Sequence, residues 1–271
     1  MSRAPTGHAV VSQAVLDVRR RPDHRSEMRS QLLLGETVRI LARSRDGAWW
    51  RVRNDADGYE GWARSWGLLE ATPARVRRWR ALARGRIIVP FVEARVMGPP
   101  GHLLAALVWN ARVIPWSSRR SQRLVELPDG GRGWIRANAL EVRPRRWPLT
   151  TRVRSLLGSP YLWGGRTPFG FDCSGWAQQL LAEQGRLLPR DAHEQFRGTE
   201  RISSDETRPG DLIFFGPRRG RIAHVGVCIG GGYYTHCRGV VRINSITIGN
   251  KLYDKDLAGQ VRGFGRSKEP A

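Results

Sequence analysis

Twice before residue 143 the chain closes a series of short apolar-alternating segments on nearly the same tetrapeptide, Gly61-Trp62-Ala63-Arg64 and then Gly133-Trp134-Ile135-Arg136. Each tetrapeptide follows a Gly-containing turn and precedes an apolar finish, Leu68-Leu69-Glu70 or Leu140-Glu141-Val142. Upstream of the first lie AVLDVR, TVRILAR and WWRVRN, separated by turn formers at 45–47 and 54–58. Period-2 runs of this length, punctuated by Gly, Asn and Asp, predict strands joined by tight turns. GRIIVPFVEARV, LAALVWNARVIPW and QRLVELP repeat the pattern more loosely over 85–142. An internal duplication of a small all-β unit is the simplest explanation.

Between the copies, residues 72–84 read as a short helix with Pro73 in its first turn. Of the 11 tryptophans, Trp49, Trp50, Trp62, Trp66, Trp109, Trp116 and Trp134 fall in the two units. Most are expected to fill small cores, with some left to line a ligand groove. The stretch at 143–148, Arg-Pro-Arg-Arg-Trp-Pro, is stiff and charged and reads as a linker. The expected domains are 1–75, 76–147 and 148–271, a number that suits a chain of 271 residues.

Charge alone is a poor guide to partners. A formal net charge of +22 ordinarily points to nucleic acid. Among 46 basic residues, however, only Lys251, Lys255 and Lys268 are lysines, and the arginines run from Arg3 to Arg266 without a dominant block. No basic helix or zinc-finger spacing accompanies them, so the dispersion fits a codon-usage bias and no nucleic-acid partner is expected. Attraction to anionic wall or membrane surfaces, weakened by salt, is the more modest reading. No apolar run reaches the ~20 residues of a membrane helix. The first residues, MSRAPTGHAVVSQAVLDV, hold no apolar core of signal-peptide length. Three cysteines leave at least one thiol unpaired. The cytoplasm is therefore the expected compartment, the cell envelope by a non-standard route being the alternative.

Beyond residue 148 the pattern changes to helix, loop, helix and then strands. Residues 150–158 read as a helix with a Thr cap and a Gly stop, and a second helix starts near Cys173 and ends at Gly185. A thiol at a helix start faces free N–H groups that favour the thiolate and bind the negative oxygen of a tetrahedral intermediate. A helix Cys is nevertheless most often a small packing residue. Downstream, Ile222 to Gly230 reads as a buried strand carrying His224, and a Gly-Gly turn leads to a second strand carrying His236. A hairpin there brings the two imidazoles together, one to take the thiol proton and one to orient the first. Taken alone, either histidine is as readily structural. Zinc held by His236, Cys237 and Cys173 lacks any CxxC pair in support, and no metal or other cofactor is implied. Cys228, on an apolar strand, reads as packing.

The ordered series PYLWGG, DCSGW, LPRDAHEQ, RPGDLIFF, HVGVCIGGG and THCRG, spanning about 150–266, resembles the NlpC-type family of papain-like cell-wall peptidases. The two earlier units resemble bacterial SH3-like domains. The implied fold class is α+β, a papain-like NlpC-type catalytic domain preceded by two small all-β SH3-like barrels. The resemblance implies Cys173 as nucleophile, His224 as general base and acid, and His236 as the residue orienting it. It places Tyr161 beside the oxyanion site, and Asp172 and Ser174 along the substrate cleft. Chains combining these domains resemble gamma-D-glutamyl-L-diamino acid endopeptidases, whose substrates are peptidoglycan stem peptides such as a murein tripeptide with free N-terminal L-Ala. Asp191 matches an acid placed near that amine, followed here by Ala192 where Ser is common, and Glu60 and Tyr59 are further candidates. An amidase or acyltransferase with the same Cys and His pair, or a wall-binding protein without catalysis, are the other readings.

Overall fold

The computed structural model describes residues 6–96, 101–143 and 148–268. Their contacts divide the chain into two compact units, 1–145 and 146–271. The two all-β copies thus fall in one unit. Residues 144–147 of the expected linker lie outside the described residues.

In the first unit, β1 (Gly7–Val11), β2 (Val15–Arg19), β3 (Met28–Leu33), β4 (Thr37–Arg43), β5 (Trp49–Asn54), β6 (Glu60–Arg64) and β7 (Leu68–Ala71) form an antiparallel sheet in the order β3-β2-β6-β5-β4-β1-β7. The helix α1 (Pro73–Leu82) follows. Next come β8 (Gly85–Ile87), β9 (Phe91–Arg95), β10 (Leu103–Val108), β11 (Arg112–Arg119), β12 (Gln122–Glu126), β13 (Arg132–Arg136) and β14 (Leu140–Glu141), ordered β10-β9-β13-β12-β11-β8-β14. Strand for strand this is the first order repeated. Even the single bridge pairing Arg19 with Trp62 recurs as Arg95 with Trp134. The repeated Gly-Trp strands are therefore equivalent in three dimensions. The strand order is linear in each copy, with β3 and β7, or β10 and β14, at its ends.

Alternation builds each core. β2 buries Leu16 and Val18 while its other residues are half-buried, and Val38, Ile40, Val52 and Ala63 join them. The second core gathers Ile87, Val92, Leu107, Val113, Val125 and Ile135, and takes in Leu34 from the first copy. Thr72 caps α1 by accepting the Arg75 N–H, and Pro73 occupies the first turn, as the sequence predicts. Buried Val76 and Trp79 of this helix pack with Val10 and Ile114, and the Trp79 indole donates to the Gly35 carbonyl at 2.8 Å. Trp49, Trp50 and Trp109 are buried and Trp62 and Trp134 half-buried, while Trp66 and Trp116 are more than half exposed. The Arg132 guanidinium stacks on the Trp116 ring at 3.4 Å, so the exposed face is covered by a cation.

The second unit opens with α2 (Leu149–Leu156). Its cap position is Pro148 and no side chain caps it, so the expected Thr cap is not formed, while Gly158 at φ +82° does end the segment. The short strands β15 (Arg166–Thr167) and β16 (Gly170–Phe171) lead into α3 (Cys173–Glu183), and α4 (Ala192–Gly198) follows. Then β17 (Glu200–Ile202), β18 (Leu212–Phe215), β19 (His224–Gly230), β20 (Tyr233–Arg238), β21 (Val240–Ser245), α5 (Lys255–Ala258) and β22 (Val261–Arg266) complete it. The antiparallel sheet runs β17-β22-β18-β19-β20-β21, with the last strand inserted between β17 and β18. Arg266 on β22 pairs with the buried Asp211 carboxylate at 2.8 Å, which gives the acid of the Arg-Pro-Gly-Asp turn a structural partner. Arg152 of α2 grips the buried Glu183 of α3. α3 packs on β19 and β20 with Trp176, Ala177, Leu180 and Leu181 fully buried, and the Trp176 indole donates to Thr235 Oγ1.

Candidate active site

The loop before α3 is shaped around the helix start. Asp172 is the cap residue: its Oδ1 accepts the Gly175 N–H at 2.6 Å, and its Oδ2 accepts the Gly164 N–H at 2.9 Å. A side chain at Gly175 would place Cβ 2.1 Å from the Gly165 carbonyl oxygen, so helix and loop approach as closely as backbones allow. This explains the Trp-Gly-Gly and Asp-Cys-Ser-Gly spacing: the Gly164-Gly165 pair and Gly175 let the loop wrap the first turn on which Cys173 sits.

Arg190 completes that turn. It is 1% exposed, and its guanidinium forks onto both Asp172 oxygens at 3.0 and 2.6 Å while also donating to Ser174 Oγ at 3.0 Å. Asp172 and Ser174, expected along the substrate cleft, therefore spend their polar atoms on the helix cap and on Arg190. Arg190 lies in the LPRDAHEQ motif, but the motif gave it no role, because that role depends on a contact 18 residues away along the chain.

Cys173 is 9% exposed. Burial pushes its thiol up to about 12, helped by the Asp172 carboxylate, while Arg190 and hydrogen bonds from the Val225 and Ser174 backbone pull the other way. The helix start was expected to favour the thiolate; desolvation outweighs it. Contact with Val225 puts the sulfur beside the residue that follows His224. Tyr161 is 38% exposed, and its hydroxyl is raised to about 12 by burial first and then by Cys173, Asp172 and Cys237 around it. Cys237 donates its thiol to the Phe171 carbonyl at 3.2 Å, a buried packing contact at the same loop.

The hairpin reads as the sequence predicts. Gly230, Gly231 and Gly232 all take positive φ and turn β19 into β20. His224 Nε2 lies 2.7 Å from His236 Nδ1, and His236 Nε2 lies 2.9 Å from Asn244 Oδ1 on β21. His236 is fully buried against the Tyr234 ring. Burial lowers His224 to about 3 and His236 to about 4, so both rings are neutral at pH 7. The arrangement suits a thiol deprotonated by a neutral imidazole as it attacks, with that imidazole held by a second.

These features agree with the chain's likeness to known proteins. Residues 158–262 match the NlpC/P60 family, and residues 18–68 match the bacterial dipeptidyl-peptidase Sh3 domain. Residues 158–262 thus form a cysteine peptidase domain of the NlpC/P60 family. A gamma-D-glutamyl-L-lysine dipeptidyl-peptidase of Bacillus subtilis (strain 168) is 28% identical over 88% of this chain and 81% of the relative. A protein of the same name from Bacillus cereus (strain ATCC 10987 / NRS 248) is 26% identical over 88% of this chain and 75% of the relative. A crystal structure of an NlpC/P60 family protein from Bacillus cereus ATCC 10987 shares the fold, with a TM-score of 0.81 and 21% identity over 96% of this chain and 99% of that one.

The remaining sequence candidates divide between the units. Asp191 is the cap position of α4 without capping it through its side chain, and it lies in a cluster with His193 and Glu194. Arg221 stands against His193, and with burial as the larger cause it lowers that ring's affinity for a proton. Glu60, in the first unit, has its carboxylate held by Arg51 at 2.9 Å and Arg53 at 2.5 Å. The Tyr59 N–H donates to Asp57 Oδ1. Among the described residues no helix is long and apolar enough to cross a membrane.

Proposed function

We propose that this NlpC/P60 peptidase hydrolyses the bond between the gamma-carboxyl of D-glutamate and the diamino acid of peptidoglycan stem peptides, preferring short fragments with a free N-terminal L-Ala. The observation that carries the reading is the likeness, over 88% of the chain, to proteins named gamma-D-glutamyl-L-lysine dipeptidyl-peptidase. In this reading Cys173 Sγ attacks the gamma-carbonyl as His224 accepts the thiol proton. His224 then returns that proton to the departing amine, leaving a thioester and a neutral imidazole. Water, deprotonated by His224, cleaves the thioester and frees the thiol. His236 orients His224, and Tyr161 stands beside the developing oxyanion.

Asp191 is the acid assigned to the substrate ammonium. An ammonium taken from water needs such a partner. Three free, buried cysteines support action in a reducing compartment and a place in recycling of wall peptides.

The test is mass spectrometry of the enzyme incubated with L-Ala-gamma-D-Glu-diaminopimelate, its N-acetyl copy, and a Cys173→Ala control. Release of L-Ala-D-Glu from the free-amine peptide alone, absent in the control, is the expected outcome. Equal cutting of both peptides would remove the amine preference, and cutting of neither would favour the amidase, acyltransferase or wall-binding readings.

A further inference from the structure

We propose that Asn244 is a positioning residue that fixes the protonation pattern of the whole histidine relay, and so decides which nitrogen of His224 meets the thiol. This rests on the assignment of Cys173 and His224 as nucleophile and base. An amide oxygen only accepts, so the contact from His236 Nε2 to Asn244 Oδ1 at 2.9 Å requires the proton on His236 Nε2. The amide cannot turn over freely, because its nitrogen donates to the Leu252 carbonyl at 3.4 Å. With Nε2 protonated, the neutral His236 offers Nδ1 as a lone pair. The 2.7 Å contact then requires His224 to donate from its own Nε2. His224 Nδ1 is left bare, as a base for Cys173. A structural fact 20 residues beyond the base, on the outer strand β21, thus sets the reactive atom.

Neighbouring charges do not supply the same instruction. The charged groups acting on the rings are Arg238 of β20, which faces both, and Arg242 of β21 and Asp254 ahead of α5, which act on His236, while His236 itself acts on His224. Tyr234 and Phe215 pack against the rings without a hydrogen bond to either. Asn244 is the group whose hydrogen bond holds His236, and the same bond favours its proton.

The experiment reads ring tautomers directly, by long-range proton–nitrogen correlation of the histidines in Cys173→Ala protein with and without Asn244→Ala, and it needs no substrate. The parent should show both rings protonated at Nε2, and the variant should show His236 shifted to Nδ1 or mixed. In active enzyme, Asn244→Ala should lower kcat/KM roughly 10- to 100-fold, mostly through kcat. Asn244→Asp restores the acceptor, so it should recover the tautomers while moving the acidic limb of the pH profile upward by about one unit. Unchanged tautomers in Asn244→Ala, or an unmoved acidic limb in Asn244→Asp, would overturn the proposal. Should the alanine variant not fold, the aspartate variant alone decides. Failure of the peptide assay with the parent enzyme would count against the substrate reading and leave the tautomer result standing.

Discussion

Arg190 and Asp172 show how much of the site is built to hold one helix turn still. Both are buried, and each satisfies the other's charge, so removing one leaves an ion without a partner in a dry place. Asp172→Ala is expected to destabilise the protein by about 3–5 kcal/mol in denaturant titrations, since breaking a buried pair costs far more than the pair contributes. A loss under 1 kcal/mol would show that the cap and the ion pair are dispensable. The imidazoles supply a second prediction. His224 and His236 are lowered from 6.5 to about 3 and about 4, so the unfolded chain binds protons that the folded one refuses. Their contribution is fully present above about pH 6.5 and is lost progressively as pH falls toward the folded values. The melting temperature should drop between about pH 7 and about pH 4.5, and a His224→Gln, His236→Gln protein should drop less. Equal slopes would place the acid sensitivity elsewhere. Cys173, the two histidines and Tyr161 were all legible as candidates from their motifs. The roles of Arg190 and Asn244 were not, because Arg190 sits in the LPRDAHEQ motif without a visible partner and an Asn on a strand has no local pattern that sets it apart.

At the scale of elements, the duplication has a physical check in the turn after β3 and its counterpart after β10. Gly35 and Asn110 occupy the same place in the repeated order, and both take positive φ, +85° and +69°. Asn tolerates that conformation by bonding locally, whereas other side chains are strained. Gly35 carries a second constraint: a Cβ there would lie 2.2 Å from the Arg112 carbonyl oxygen. Gly35→Ala should therefore cost about 2 kcal/mol or more in thermal or chemical unfolding, while Asn110→Gly should stay within about 1 kcal/mol of the parent. A neutral Gly35→Ala would mean that the two copies do not meet as closely as this contact requires. The strands themselves were readable from alternation. Their order was not, since no local signal tells β6 to lie between β2 and β5.

For the molecule as a whole, the arginine surplus is partly absorbed by its own surface. Guanidiniums stack on Trp50 and Trp116, and Glu60, Glu70, Glu93 and Glu126 each hold at least one arginine. The formal net charge nevertheless stays at +22. Adhesion to anionic wall polymer is expected at low salt and should be lost by about 0.5 M, where screening shortens the reach of exposed charge to a few ångströms. Sedimentation with purified wall across a salt series measures this. Retention at high salt would point instead to a specific binding surface.

The amino-acid sequence by itself determined the local pieces: strands with period 2, a turn wherever Gly, Asn and Asp cluster, a helix that begins at Cys173, and a hairpin that pairs two histidines. These follow from steric and hydrogen-bonding rules that act over a few residues. Only the tertiary structure decided that β22 enters between β17 and β18, that Arg190 closes on Asp172, and that Asn244 sets the tautomer of His236. It also decided that desolvation, rather than the helix start, governs the Cys173 thiol. Pairing between distant strands and exclusion of water arise from many residues at once, and no window along the chain contains them.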